Sequence, residues 1–297
     1  MTNKVFGIIE KEKFGIGALL YFNIFGKKIY FKKVPYKKDM ALIKKLLPYL
    51  KAGIPSVVNV MEFYKGLYAN VNEELVSNMY TMLLNKNDNA IDIGANAGLH
   101  TDKIARLTNG IILAFEPIYE LYNKLNKQYI NNPNVKIINT ALSDKNDIAD
   151  FYVYNSCLAE SGLLERKERM RGKGKFEKIK IRTEILDNYI DNFDELKFIK
   201  IDAESAEINI LKGAGGIMDK LRPYITLEFG DDVKYFNQTA GDLYDYLILH
   251  NYSIADLFGN FYASKEEFEK YRPVWDFVLV PEEKREEFQK IINEKFV

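Results

Sequence analysis

The sequence is poor in the residues that build disulfide-rich and zinc-based scaffolds. It has one cysteine, Cys157, and two histidines among 297 residues. A single cysteine cannot form an internal disulfide or a cysteine-based zinc site, so both kinds of scaffold are excluded. No basic start is followed by an apolar run, so we expect no secretory signal and a cytoplasmic location.

Long apolar runs and a net charge are also missing. The most apolar early stretch, residues 16–25, is interrupted by Asn23 and is well short of the roughly 20 residues that a membrane helix needs. The 42 basic residues are balanced by 42 acidic ones. We therefore expect no transmembrane segment and no nucleic-acid partner, because nucleic-acid binders usually carry a strongly basic domain. The hydrophobic fraction of 47% predicts a globular chain instead.

The first 70 residues differ from the rest in charge and pattern. Residues 27–51 contain nine lysines and one acid, Asp39. Residues 19–25 and 29–34 are rich in aromatic residues and isoleucine around a glycine, which predicts a hairpin, and a helix is predicted over residues 39–50. We interpret residues 1–70 as an accessory region and residues 71–297 as the main domain. The lysines suit a solvated face, and weak contact with an anionic membrane surface is the alternative.

From residue 72 onward, short β-branched runs alternate with amphipathic stretches. This alternation predicts an α/β fold with a mostly parallel sheet and crossover helices. Two later runs follow the fifth strand at hairpin spacing, which predicts an antiparallel edge. The predicted strands are residues 90–93, 111–115, 135–139, 198–201, 224–229, 253–257 and 277–280. The predicted helices are residues 98–108, 119–131, 204–213 and 239–250, with residues 213–216 as a stop.

A glycine-containing turn connects the first of these strands to its helix. The strand breaks at Gly94 and the helix begins near Gly98, a place where open α/β sheets hold nucleotides. Asn96 stands where a dinucleotide fingerprint needs its second glycine, which argues against NAD. Asp92, just before the turn, suits the ammonium group of S-adenosylmethionine and would repel a pyrophosphate.

Further acids stand at predicted strand ends. Glu116 can accept both hydroxyls of an adenosine ribose, and Asp144 can accept from an adenine amine. Asp202, Glu204 and Glu228 end the next two strands. Such oxygen ligands suit Mg²⁺, but no ligand spacing supports a metal, so we predict none. The remaining candidate is a histidine after the glycine turn, His100, which could reach an acceptor or simply pack on its helix.

Five motifs occur in one order: residues 92–98 (Asp-Ile-Gly-Ala-Asn-Ala-Gly), 115–117 (Phe-Glu-Pro), 141–144 (Ala-Leu-Ser-Asp), 199–207 (Ile-Lys-Ile-Asp-Ala-Glu-Ser-Ala-Glu) and 211–214 (Leu-Lys-Gly-Ala). Together they resemble the FkbM family of S-adenosylmethionine-dependent methyltransferases over about residues 80–255. The resemblance implies a Rossmann-like class I methyltransferase fold, with a seven-stranded sheet that has one antiparallel strand. It also implies methyl transfer to oxygen, often on sugars.

The resemblance also assigns roles to the motif residues. Asp92, Gly94, Asn96 and Gly98 would hold the methionine part of the cofactor, Glu116 the ribose and Asp144 the adenine. Asp202 and Glu204 would face the methyl group, with either as the expected base. The family usually has glycine where this chain has Ser205. Either the backbone there is conventional, or Ser205 adds a hydroxyl near the acceptor.

The acceptor is indicated by two weaker signals. Residues 21–31 are similar to segments at the start of bacterial surface-polysaccharide enzymes, which favours a glycan or small-molecule acceptor. Residues 166–182 carry nine basic residues and two acids, including Arg166, Arg169 and Arg171. Clustered arginine suits bidentate phosphate contacts, so we expect a clamp for a nucleotide-linked or phosphorylated sugar, with an unliganded loop as the alternative.

Two other functions remain open from the sequence. One is a nucleotide-sugar oxidoreductase with a degenerate dinucleotide fingerprint, and the other is a non-catalytic, cofactor-binding relative. The sequence does not name the sugar or the hydroxyl, and it leaves the oligomeric state open.

Overall fold

The computed structural model describes residues 20–24, 27–31, 65–155, 157–165, 176–270, 272 and 275–295. The chain divides into two compact units, Met1–Val57 and Val58–Val297. In the first unit, β1 (Leu20–Ile24) pairs antiparallel with β2 (Lys27–Phe31), which confirms the predicted hairpin. The helix predicted over residues 39–50 lies outside the described residues. The division after residue 70 stays a prediction.

The strands of the second unit are short, and those predicted for the main sheet lie within one residue of their expected bounds. They are β3 (Ala90–Ile93), β4 (Ile112–Phe115), β5 (Val135–Ile138), β6 (Ala141–Leu142), β7 (Asp147–Tyr154), β8 (Phe176–Glu184), β9 (Phe198–Ile201), β10 (Tyr224–Glu228), β11 (Tyr252–Asp256) and β12 (Asp276–Pro281).

A seven-stranded sheet forms the centre of the part of this unit that the structure describes. Its order is β11-β12-β10-β9-β3-β4-β5. The five strands from β10 to β5 are parallel, and β12 is antiparallel to both of its neighbours. The fold is therefore Rossmann-like, mostly parallel and closed at one side by an antiparallel pair, as the sequence predicted.

The helices around this sheet explain its burial. They are α1 (Lys65–Leu83), α2 (Leu99–Leu107), α3 (Tyr119–Gln128), α4 (Glu207–Lys212), α5 (Gly215–Leu221), α6 (Ala240–Leu249), α7 (Lys265–Lys270) and α8 (Arg285–Lys295). Every residue of β3, β4 and β9 is buried, as expected of parallel strands covered on both faces. In the described residues, no helix is long and apolar enough to cross a bilayer.

Three helix predictions need correction. The helix expected from residue 204 begins at Glu207, because residues 204 and 205 have positive φ. The helix expected to reach residue 131 ends at Gln128. The stop predicted at residues 213–216 contains the first residues of the next helix, α5. Four further helices were not predicted from the sequence: α1, which spans the expected domain boundary, α5, α7 and α8.

A second sheet of the same unit was also not predicted. It has the order β6-β8-β7, and the long antiparallel pair β7 and β8 lies between the third and fourth parallel strands in sequence. Residues 176–182 of the predicted basic clamp are thus strand rather than loop. An apolar cluster joins this sheet to the residues after β4: Ile118, Ala141, Phe151, Val153 and Ile181.

Candidate functional site

A cavity of about 260 Å³ lies at the carboxyl ends of the parallel strands. This edge is where open α/β sheets bind ligands, because loops from neighbouring strands converge there. Apolar residues of the small sheet and of the segment after β4 form one wall, among them Ile118, Phe151 and Leu158. Six residues predicted for the site line the cavity together: Gly94, Asn96, Glu116, Asp202, Glu204 and Glu228.

The turn after β3 depends on glycine. Gly94 has a φ of +78°, and a Cβ added there would lie 1.9 Å from the carbonyl oxygen of Asp202. Gly98, at the start of α2, has a φ of +88° and packs against Leu125. Only glycine fits such close contacts at these angles. The turn therefore brings the backbone of β3 against that of β9 and holds Asn96 at the cavity.

Glu116 joins the turns that follow β3 and β4. Its Oε2 accepts from the backbone N–H of Asn96 at 2.8 Å, and its Oε1 accepts from Ile118 at 2.7 Å. The residue is 3% exposed. Burial raises the pKa of its carboxyl group to about 7, against the opposing effect of these two hydrogen bonds.

Asp92 does not have the position expected of a direct cofactor ligand. It is fully buried, and it is not among the described residues that line the cavity. Its Oδ2 accepts from the hydroxyl of Thr101 at 2.6 Å. Its Oδ1 lies 3.7 Å from Nζ of Lys200, its cross-strand partner on β9. The acid thus supports the wall behind the turn, and contact with an ammonium group stays a prediction.

Lys200 is a buried cation between two acids. Its Nζ also lies 3.1 Å from Oδ2 of Asp202. Burial would lower the pKa of Lys200, but the charges of Asp202 and Asp92 raise it above its usual value. The side chain is therefore charged, and it links the wall behind the cavity to an acid that faces it.

Asp202 and Glu228 form a hydrogen-bonded carboxyl pair at the ends of β9 and β10. Burial would raise the pKa of Asp202, but the Lys200 ammonium and the bond from Glu228 lower it. Burial and the charge of Asp202 raise the pKa of Glu228 well above its usual range. Within this pair Glu228 is therefore the proton donor, and Asp202 is the ionised acceptor, whose side chain is 31% exposed.

His100 is held by two protein groups. Its Nδ1 lies 3.1 Å from the hydroxyl of Tyr80, and its Nε2 lies 2.7 Å from Oε2 of Glu73. Burial would raise the pKa of Glu73, but the bond to His100 lowers it. His100 lines a small neighbouring cavity of about 110 Å³ with Asp202 and Glu228. A catalytic role for it stays a prediction.

Glu73 is a candidate site residue that the sequence analysis missed. It lies on α1 and lines both the 260 Å³ cavity and the small cavity beside it. Its partner His100 is 27 positions away, and no motif surrounds Glu73 in the sequence. This contact is visible only from the packing of α1 against α2 in the structure.

The segment after β9 carries backbone strain. Glu204 and Ser205 have φ values of +54° and +83°, where L-residues other than glycine are disfavoured. The carboxyl group of Glu207 holds this bend, since its Oε1 accepts from the N–H groups of Ala203 at 3.2 Å and Ser205 at 3.0 Å. Ser205 therefore has a backbone conformation typical of glycine although it carries a Cβ. The expectation of a conventional backbone at this position is wrong.

We expect Ser205→Gly to stabilise the protein by about 0.5–1 kcal/mol. Relief of left-handed strain contributes about 1–2 kcal/mol, and the greater freedom of glycine in the unfolded chain offsets about 0.4–1 kcal/mol of it. Urea unfolding measures the difference. Ser205→Ala, which keeps the Cβ, is the control and should show no gain. A glycine variant no more stable than the alanine variant would contradict the strain.

The remaining predicted residues are not brought to the cavity by the described structure. Asp144 is exposed, accepts from the hydroxyl of Ser143 at 3.2 Å, and is not among the described lining residues. Its adenine role stays a prediction. Arg166, Arg169 and Arg171 lie outside the described residues.

The basic residues near the arginines that the structure does describe have acidic partners. Lys178 and Lys180 lie 2.7 and 2.6 Å from the carboxylate of Asp150. Arg182 lies 3.3 Å from Glu184. Two carboxylates therefore pair with these three cations, so a phosphate clamp would depend mainly on the arginines themselves.

A metal centre is not evident at the strand ends. Among the residues that the structure describes, no group of three or more His, Cys, Asp or Glu side chains is placed to hold a metal ion. Asp202 instead bonds to Lys200 and Glu228. The arrangement is that of an acid pair beside a buried cation, which can accept and donate protons at the cavity.

Comparison with known proteins gives one family match. The family model for the methyltransferase FkbM domain matches residues 92–254, more than half of the chain. Curated protein sequences include no match.

Three solved structures align with part of this chain. The methyltransferase FkbM from Methylobacillus flagellatus aligns at 14% identity and a TM-score of 0.43, over 68% of this chain and 47% of that one, so this chain spans less than half of its length. A candidate methyltransferase from Streptococcus mutans, in complex with S-adenosylhomocysteine (SAH), aligns at 12% identity and a TM-score of 0.39, over 70% of this chain and 96% of that one. An rRNA methylase from Streptococcus thermophilus aligns at 12% identity and a TM-score of 0.36, over 69% of this chain and 92% of that one.

Proposed function

Because this chain belongs to the FkbM methyltransferase family, we propose that it is an S-adenosylmethionine-dependent O-methyltransferase. Its proposed acceptor is a sugar hydroxyl in the synthesis of a bacterial surface polysaccharide. The observation that carries the proposal is the 260 Å³ cavity, where the glycine turn, Glu116 and the acid pair Asp202 and Glu228 meet. A cofactor held by the glycine turn and Glu116 would present its reactive end to the acid pair.

The cavity suits the parts of the proposed cofactor in order along its wall. The turn at Gly94 and Asn96 offers closely spaced backbone for the methionine part, and Glu116 offers a carboxylate to the ribose hydroxyls. The apolar side chains of Ile118 and Phe151 line the same cavity and would pack on the adenine ring. Asp144 would accept from the adenine amine at the outer end.

Cofactor affinity should depend on pH through Glu116. Its pKa is about 7 in the free protein, and hydroxyl donors stabilise the ionised form, so binding lowers this pKa and affinity rises with pH. We expect SAH to bind about tenfold more weakly at pH 6 than at pH 8 by calorimetry. Glu116→Gln should remove this pH step and weaken binding at pH 8 about ten- to hundredfold. A wild-type affinity independent of pH would contradict the assignment.

The chemistry requires an acceptor hydroxyl to lose its proton as it attacks. When bound, S-adenosylmethionine would supply the methyl group of its sulfonium: the oxygen–carbon bond would form as the carbon–sulfur bond breaks, and the electron pair of the broken bond would stay on sulfur. Asp202 is ionised, partly exposed to the cavity and hydrogen-bonded by Glu228, so we propose that it takes the hydroxyl proton. Glu204, on the adjacent bend, orients the acceptor. General bases of this kind contribute about 10²–10⁴-fold in rate.

The oxidoreductase alternative is less well supported by the site. Asn96 has a φ of +49° where a dinucleotide turn has glycine, and the cavity's strand ends carry Glu116, Asp202, Glu204 and Glu228, which disfavour a pyrophosphate. Labelled methyl transfer from S-adenosylmethionine tests the proposal against free sugars, nucleotide sugars and RNA. Label on a sugar hydroxyl supports it. Label on RNA, or SAH binding without turnover on any acceptor, favours another methyltransferase class or a non-catalytic relative.

A further inference from the structure

A second cavity, of about 210 Å³, adjoins the first at the same edge of the sheet. Glu204 and Glu228 line both cavities, so the two spaces meet beside the proposed base. The residues that line the second cavity are mostly acidic: Glu204, Ser205, Glu207, Glu228, Gly230, Asp231, Asp232 and Trp275. Among the described residues, this lining contains no lysine, arginine or histidine. We call it the acidic cavity.

Glu207 contributes a polar atom that the fold leaves unsatisfied. The residue is 2% exposed and lines the acidic cavity. Its Oε1 holds the bend at residues 203–205, while its Oε2 has no hydrogen-bond partner among the described residues. A buried polar atom without a partner costs about 1–3 kcal/mol. A ligand hydroxyl in the cavity would supply the missing partner.

The protonation states of these acids suit hydroxyl groups. Burial raises the pKa of Glu207 to about 8, and burial next to the charge of Asp202 raises the pKa of Glu228 well above its usual range. Protonated carboxyl groups donate and ionised ones accept, so the lining offers both functions that a hydroxyl can match. Asp231 is partly neutralised by Arg272, at 2.7 Å.

Trp275 adds a flat apolar surface to the lining of the cavity. It is the only tryptophan in the sequence, and it is 38% exposed. A partly exposed indole beside clustered carboxyl groups provides a stacking face for a ring whose edge carries hydroxyls. The volume of about 210 Å³ accommodates several waters or one such ring.

We propose that the acidic cavity is the acceptor subsite, and that it takes a polyhydroxylated ring that carries no phosphate on the part that enters. This assignment rests on the proposed function. The carboxyl groups bond to hydroxyls and repel a phosphate, while Glu204 and Glu228 place one hydroxyl of the ring next to Asp202. A phosphate attached directly to the ring lies within reach of these charges even when it stays outside the cavity, so it should weaken binding.

The single tryptophan makes the proposal testable by fluorescence. Protein saturated with SAH is titrated with D-glucose, D-galactose and L-rhamnose, and separately with their 1-phosphates, while Trp275 emission is recorded. We expect saturable changes with at least one neutral sugar and affinities at least tenfold weaker for its phosphate. Equal or tighter binding of the phosphates, or no saturable change with any of these sugars, would overturn the subsite.

Two variants separate the cavity from the fold. Glu207→Gln and Asp232→Asn should each weaken the binding of the neutral sugar about tenfold or more while leaving SAH affinity unchanged by calorimetry. Asp194→Asn, at an exposed aspartate outside both cavities, is the matched control and should change neither. If Glu207→Gln disrupts the bend at residues 203–205, the Asp232→Asn variant still tests whether the acidic cavity binds the sugar. Absence of SAH binding would reject the proposed function, whereas SAH binding with unchanged sugar affinity in both variants would reject the subsite alone.

Discussion

Asp202→Asn is expected to lower kcat about 10²–10⁴-fold while SAH still binds. The asparagine amide keeps the size of the side chain but cannot take a proton, so the loss corresponds to removal of a general base. The effect should fall on kcat rather than on the KM for S-adenosylmethionine, because Gly94, Asn96 and Glu116 are unchanged. Labelled methyl transfer measures turnover, and calorimetry measures binding.

The control for this variant addresses its loss of charge. Asp202 also neutralises Lys200 at 3.1 Å, so urea unfolding must show that the variant is folded under assay conditions. Asp194→Asn removes an exposed aspartate and should retain full activity. A loss of less than tenfold in Asp202→Asn would mean that the reaction depends on positioning alone, or on another base such as Glu204.

Lys200→Met should have the largest effect on stability, a loss of about 3–5 kcal/mol. The substitution removes the cation between Asp92 and Asp202 and leaves a fully buried carboxylate without its counter-charge. Urea unfolding at pH 7 measures the loss. A buried carboxylate without a counter-charge takes up a proton more readily, and protonation removes the cost of its buried charge. The difference in unfolding free energy between the variant and wild type should therefore shrink as the pH is lowered to 5.

Lys180→Met is the matched control for the buried lysine. Lys180 also pairs with an acid, Asp150, at 2.6 Å, but its side chain is 67% exposed. Exposed ion pairs contribute about 0–1 kcal/mol, so this variant should remain close to wild type. Similar losses in the two variants would show that burial of the Lys200 charge is not what matters.

The central strands were predictable because each is a short run dominated by apolar and β-branched residues, with one charged residue inside β3 (Asp92) and one inside β9 (Lys200). Strands β3 and β9 have the predicted bounds. The small sheet was not predicted, although β8 alternates Ile179 and Ile181 with basic residues. That period-2 pattern predicts a half-buried strand, but the positive charge of the segment favoured a ligand-binding loop, and its partner strand β7 lies about 30 residues earlier.

The candidate site was predictable where it follows strand ends and unpredictable where it depends on register. Glu116, Asp202 and Glu228 could be placed at one edge from sequence alone. The burial of Asp92 could not, because it follows from the pairing of Asp92 with Lys200 across β3 and β9. Glu73 was missed for a related reason, since its contact with His100 depends on how two helices pack.

Ser205 shows a third kind of limit. The resemblance identified the position as unusual, but the sequence does not give its backbone angle. The φ of +83° follows from Glu207, whose carboxyl group accepts from the two N–H groups of the bend. A side chain two residues later thus fixes a conformation that local propensity opposes.

Calorimetric titration of the wild-type protein with SAH at pH 8, alongside NAD⁺, tests the central claim most directly. We expect saturable binding of SAH at one site per chain and no detectable binding of NAD⁺. Binding of NAD⁺ in preference to SAH, or binding of neither, would contradict the assignment of the 260 Å³ cavity as an S-adenosylmethionine site.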